Sequence, residues 1–178
     1  LWTEIFHETS FHRRIISYYY KKNTFDLKVN PNGGTWRGNA TPTTLMIPTG
    51  DSEIIADPIP PIGANVTLYY HDDDDKIVNQ EVRSKFSHWE KSGGGIFDAA
   101  AKKFTSGNGN ASLKAEYTGG SITLPVLSRE HYTFYGWDPN PDIDPDTEQP
   151  KYQPGEMIDI GLREPAEFFA GCEFEDGS

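Results

Sequence analysis

Cysteine is almost absent. Cys172 stands alone, so no disulfide can form within the chain. The fold must then hold by burial instead of by staples, and 178 residues suffice for a proper core. Basic charge is also scarce. There are 16 Lys and Arg against 27 Asp and Glu, a net charge of −11. That excludes a general binder of nucleic-acid backbones, which needs a basic face. Long apolar runs are missing too, and no stretch approaches the roughly 18 apolar residues of a membrane-spanning helix. No secretory leader is visible and the sequence begins at Leu1 without Met. The expectation is a processed or excised piece of a longer product.

Turn formers and aromatics are plentiful. With 17 Gly, 13 Pro and 13% aromatic residues, turn signals recur every few positions. The core must then rest on rings more than on aliphatic runs. The expected fold is mainly β, with short antiparallel strands and at most one or two short helices. Phe25-Asp-Leu-Lys-Val-Asn30 and Ala111-Ser-Leu-Lys-Ala-Glu-Tyr117 alternate as half-buried strands do. Asn32-Gly33 is a tight-turn signal. Strands are also expected at 15–20, 65–70, 77–82, 121–124, 157–160 and 166–169. Ile96-Phe-Asp-Ala-Ala-Ala-Lys-Lys-Phe104 is the best helix candidate.

The stretch around which the rest is organised is Tyr132-Thr-Phe-Tyr-Gly-Trp137. Regular alternation would put Tyr132, Phe134 and Gly136 on one face, with Thr133, Tyr135 and Trp137 on the other. Phe86-Ser-His-Trp89 has the same Phe-x-x-Trp spacing, and each copy precedes a turn-rich segment. One small β unit used more than once is therefore expected. Phe86, Trp89, Tyr132, Phe134 and Trp137 are read as its structural aromatics.

These residues resemble the Listeria–Bacteroides repeat, the internalin B-repeat-like module of bacterial surface proteins. The resemblance rests on Asn32-Gly-Gly-Thr35, on Leu113-Lys-Ala-Glu-Tyr117, and on Leu124-Pro125 followed by Tyr132-Thr-Phe-Tyr-Gly-Trp137 and Tyr152-Gln-Pro-Gly155. It covers about residues 25–160, and His131 stands where the family usually has Gly. It implies β-grasp-like modules in extended, cell-wall-associated proteins, with no family catalytic residues. The resulting division is 1–24 as the end of a preceding unit or a docking segment. Residues 25–118 are a first module with a long insertion at 38–64, and 119–178 a second, partial one.

Asp72, Asp73, Asp74 and Asp75 are either a solvated hairpin tip or an ion site. Asp138, Asp142, Asp144 and Asp146 have better ligand spacing, although the loop holds several prolines. Calcium is the ion either group would take, and no other cofactor is implied. Trp36 is the candidate for sugar stacking. His7 and His12 are five apart, off the one-face spacing of a zinc helix. Cys172 has no basic sequence neighbour to activate it as a nucleophile. Lys28, Lys114, Asn30 and Asn65 lie on expected strands, where a Lys–Asn isopeptide staple would need a buried lysine.

The function expected is that of a non-catalytic segment of a bacterial surface or secreted protein, acting as spacer or adhesion module. Its partners would be further repeats, neighbouring subunits, or a host or cell-wall glycan or protein. The alternatives are a carbohydrate- or calcium-dependent binding module, or a subunit of an extracellular filament joined through strand edges.

Overall fold

The computed structural model describes residues 3–8, 14–70, 76–161 and 166–175. Among these residues there are 15 strands and no helix. The first seven are β1 Thr3–Glu8, β2 Arg14–Tyr19, β3 Thr24–Asn30, β4 Thr43–Pro48, β5 Ser52–Ile54, β6 Ile62–Tyr69 and β7 Ile77–Arg83. The remainder are β8 Lys85–Gly93, β9 Ile96–Asp98, β10 Lys103–Thr105, β11 Ala111–Thr118, β12 Gly120–Thr123, β13 Tyr132–Asp138, β14 Met157–Ile160 and β15 Ala166–Phe174. The mainly β expectation holds. The chain forms two compact units, each assembled from three stretches: Leu1–Asn30, Pro42–Ala56 and Glu90–Lys114 in one; Pro31–Thr41, Asp57–Trp89 and Ala115–Ser178 in the other.

In the first unit, β1 and β2 form an antiparallel pair within residues 1–24, the segment read as the end of a preceding unit or a docking segment. The alternation read from 25–30 and 111–117 is realised in a four-stranded sheet of order β4-β3-β11-β8. Leu27 faces Leu45 on one side and Ala111 on the other, while Val29 faces Leu113. Leu27, Val29 and Leu113 are buried, and Lys28 and Lys114 between them are exposed. The β3–β11 pairing is parallel, which corrects the expectation of antiparallel strands alone.

The helix expected at 96–104 is instead the β9–β10 hairpin, with Phe97 opposite Phe104. Asp98 Oδ1 accepts the Ala101 amide at 3.0 Å, and Lys102 turns the chain at φ +50°. Nine residues are too few to sustain a helix without a packed face. Burying Phe104 in the hairpin outweighs the helix propensity of the alanines. The Gly93-Gly-Gly95 run accompanies a close backbone crossing: a Cβ on Gly93 would lie 2.3 Å from the Asn110 carbonyl oxygen, and one on Gly95 2.6 Å from both the Phe104 ring and the Thr105 oxygen.

The second unit holds a four-stranded sheet of order β13-β15-β6-β7 and the β12–β14 pair. Its core gathers Val66 and Leu68 of β6, Val82 of β7, Ile122, Leu124, Trp137, Ile158 and Phe168. The expected strand 65–70 begins earlier, at Ile62, inside the stretch read as an insertion. The expected 166–169 strand continues to Phe174, and the Glu175 amide donates to the His131 carbonyl at 2.7 Å. The β6–β15 pairing is also parallel.

Numbering strands within each sheet by chain order, β4-β3-β11-β8 reads second, first, fourth, third. Read from its β7 end, the other sheet gives the same sequence, β7-β6-β15-β13. In both, the first and fourth strands are parallel at the centre, and the first two form an antiparallel pair. One plan is thus built twice. The β6–β7 hairpin lies within 25–118 yet pairs in the sheet that contains β13 and β15 of 119–178.

Candidate functional site

The third strand of each sheet carries the Phe-x-x-Trp spacing. In a regular strand residues three apart point to opposite faces. Yet the Phe134 and Trp137 rings meet edge-to-face at 5.6 Å. The register of β13 shifts between Phe134 and Gly136, and this bulge turns Trp137 to the face of Phe134. The regular face assignment is corrected accordingly. Gly136 has φ +147°, and a Cβ there would meet the Tyr152 carbonyl oxygen at 2.3 Å. Phe86 and Trp89 on β8 also meet edge-to-face at 5.6 Å, and Tyr117 completes that group 6.2 Å from Phe86.

The short motifs acquire roles from their contacts. Trp137 is fully buried, and its Nε1 donates to the Pro125 carbonyl at 2.8 Å, so Leu124-Pro125 supports the tryptophan. Asn32 Nδ2 donates to the Ala115 carbonyl at 2.9 Å, and the Tyr117 hydroxyl donates to the Pro31 carbonyl at 2.5 Å. Asn32-Gly-Gly-Thr35 therefore meets Leu113-Lys-Ala-Glu-Tyr117 across more than 80 residues. A Cβ on Gly34 would sit 2.3 Å from the Tyr117 hydroxyl. Burial pushes the Tyr117 phenol above its ordinary value, keeping it a donor.

Trp36 is only 2% exposed. Arg37 lies 4.4 Å from the centre of its ring. A buried ring cannot offer its face to a sugar, so the stacking role assigned to Trp36 is corrected to a core role. The acidic loop is organised for turns. Asp138 is buried, with Oδ1 accepting the Asn140 amide and Oδ2 the Lys151 amide, each at 2.8 Å. Asp144 accepts the Asp146 amide at 3.2 Å and the Thr147 hydroxyl, and the Asp142 amide donates to Asn140 Oδ1. A hydrogen bond to Glu173, reinforced by that group's charge, pushes the Asp146 carboxyl upward. Among the described residues no group of three or more His, Cys, Asp or Glu is placed to hold a metal ion. Asp72, Asp73, Asp74 and Asp75 lie outside the described residues, as does His12. Lys28 and Lys114 are exposed, so neither meets the burial that an isopeptide staple requires.

The sequence did not signal a cavity of about 250 Å³ beside β13. Tyr70, Leu127, Phe134 and Cys172 line it, and all four pack against the core of the second unit. Arg129 and Tyr132 stand at it as well, with the guanidinium 3.8 Å from the centre of the Tyr132 ring. Burial pushes the Cys172 thiol up, against the opposing charge of Arg129. These residues come from three separate stretches, and only the Arg129–Tyr132 turn was local enough to be suspected. A second, more open cavity of about 740 Å³ includes Asn65, Lys151, Asp159 and Glu167.

The molecule is thus an all-β protein built on two mixed sheets of one plan, each with a Phe–Trp pair on its third strand. Compared with known proteins, the chain matches no family model, no curated protein and no solved structure.

Proposed function

We propose that the chain is a non-catalytic segment of an extracellular or cell-surface bacterial protein, acting as spacer and adhesion module. The observation that carries this reading is the repeated sheet plan with a Phe–Trp pair at 5.6 Å on each third strand. A mixed sheet with a parallel central pair accords with the β-grasp-like module that the Listeria–Bacteroides resemblance implies. The contact of Asn32 with Ala115 and of Tyr117 with Pro31 supports that resemblance further, because it joins two of its motifs. Partners on this reading are neighbouring repeats and a host or cell-wall glycan or protein.

One observation favours the filament alternative: β4 and β7 are edge strands by sheet order, with Met46 73% and Ile77 57% exposed. Antibody against this segment should label intact source cells, and protease treatment of those cells should remove the label. Label appearing only after lysis would overturn the surface assignment.

A further inference from the structure

We propose that Asn108-Gly109 is a self-modification site, where the asparagine slowly cyclises onto the next backbone nitrogen and reopens as aspartate or isoaspartate. This goes beyond the spacer reading and does not rest on it. The sequence holds two Asn-Gly pairs, Asn32-Gly33 and Asn108-Gly109. Glycine has no side chain to shield its amide from the asparagine before it, so both pairs are chemically competent. The structure separates them. Asn32 Nδ2 donates to the Ala115 carbonyl at 2.9 Å, and its turn is closed by the Gly34 amide on the Pro31 carbonyl at 3.0 Å. Asn108 is exposed in the link between β10 and β11, and among the described residues its carboxamide has no hydrogen-bond partner. The Gly109 amide donates to no backbone carbonyl of those residues, and nothing lies within 4 Å of where a Gly109 Cβ would stand. In the reaction the Gly109 nitrogen attacks Asn108 Cγ. The new N–Cγ bond closes a cyclic imide, the Cγ–Nδ2 bond breaks, and ammonia leaves with the proton that the nitrogen gave up. Water then opens the ring. Addition at Cγ gives aspartate; addition at the main-chain carbonyl carbon gives isoaspartate, whose backbone runs through the side chain and is longer by one carbon. That carbon enters where two backbones cross. A Cβ on Gly94 would lie 2.6 Å from the Gly109 carbonyl oxygen, and one on Gly107 2.7 Å from the Gly95 nitrogen. The Gly94 amide donates to the Asn110 carbonyl at 2.9 Å, and Asn110 Oδ1 accepts the Asp26 amide of β3 at 3.0 Å. Isoaspartate at position 108 displaces these groups and loosens the start of β11.

The full chain can be aged at mildly alkaline pH, which promotes loss of the Gly109 amide proton. Conversion at each asparagine is followed by peptide mass mapping, and isoaspartate is counted by enzymatic methyl transfer. In buffer, Asn108 should convert roughly 3- to 10-fold faster than Asn32, the factor set by the hydrogen bond that Asn32 must first break. In denaturing guanidinium chloride, where neither turn persists, the two rates should converge. Asn108→Gln should block conversion at 108, because closure then needs a larger ring that forms more slowly, and should leave Asn32 unchanged. The aged chain should unfold at lower urea than the fresh one, and aged Asn108→Gln should not share that loss. The comparison of the two asparagines uses the unaltered chain, so it stands even where the variant fails to fold. Asn32 converting as fast as Asn108 in buffer, or Asn108 slowed by folding as much as Asn32 is, would overturn the site. Equal loss of stability on ageing in the unaltered chain and the variant would overturn the part assigned to the crossing.

Discussion

Trp89 and Trp137 occupy matching places in strand order and touch their phenylalanines at the same distance. Their indole nitrogens differ. Trp137 Nε1 donates to the Pro125 carbonyl at 2.8 Å, whereas Trp89 Nε1 is buried and has no partner among the described residues. Replacing each tryptophan by phenylalanine removes a similar volume, so the contrast between the variants isolates the hydrogen bond. Trp137→Phe leaves a carbonyl without its donor, while Trp89→Phe removes a polar group that had none to lose. Urea unfolding should find Trp137→Phe the more destabilised by about 1–3 kcal/mol. Equal losses would mean that the Pro125 contact adds nothing to packing. His131 carries a related message. It holds φ +64°, a left-handed conformation that costs glycine least.

At the scale of the element, alternation was readable wherever a strand buried one face. Leu27, Val29 and Leu113 are inside, as their period of two demands. What alternation cannot carry is the identity of a distant neighbour, and so the parallel partners of β3 and β6 were not foreseen. The helix expected at 96–104 failed for a similar reason: local propensity argued from three alanines, while Phe104 found its burial in a hairpin. The aromatic pair was legible as a spacing, but its geometry depended on a bulge that only Gly136 hinted at. The cavity at Arg129 left no sequence trace beyond its local turn, because Tyr70, just after β6, and Cys172 of β15 reach it from remote stretches of the chain. The bulge itself is open to test. Gly136→Ala places a methyl group 2.3 Å from the Tyr152 oxygen at φ +147°, and that oxygen belongs to the backbone, so it cannot swing aside as a side-chain end could. Gly38→Ala is the control, since φ is +80° but nothing lies within 4 Å of the added carbon. The control should cost about 1–2 kcal/mol, the penalty of left-handed backbone alone. Gly136→Ala should cost on the order of 3 kcal/mol or more by adding overpacking. Equal thermal shifts for the two would show that β13 relaxes around the insertion.

Across the whole molecule, the two sheets are interleaved in the chain. The order runs hairpin β3–β4, hairpin β6–β7, closing strands β8 and β11, then closing strands β13 and β15. A cut at residue 118 therefore leaves 119–178 with β12 to β15 and without the hairpin that β15 pairs with. Through Val66 to Tyr69, β6 is the parallel partner of Ala166 to Phe169, and its Val66 and Leu68 fill the same core as Trp137 and Phe168. What remains is two antiparallel pairs, β13–β15 and β12–β14, and isolated two-stranded pairs are marginal in water at best. The fragment 119–178 should accordingly show collapsed amide dispersion and no cooperative melt. Adding a synthetic 57–84 peptide should restore strand signal in circular dichroism, because that stretch supplies β6 and β7 intact. A cooperative melt from 119–178 alone would mean that its own strands suffice for a core, and that the borrowed hairpin is an ornament on a module complete without it.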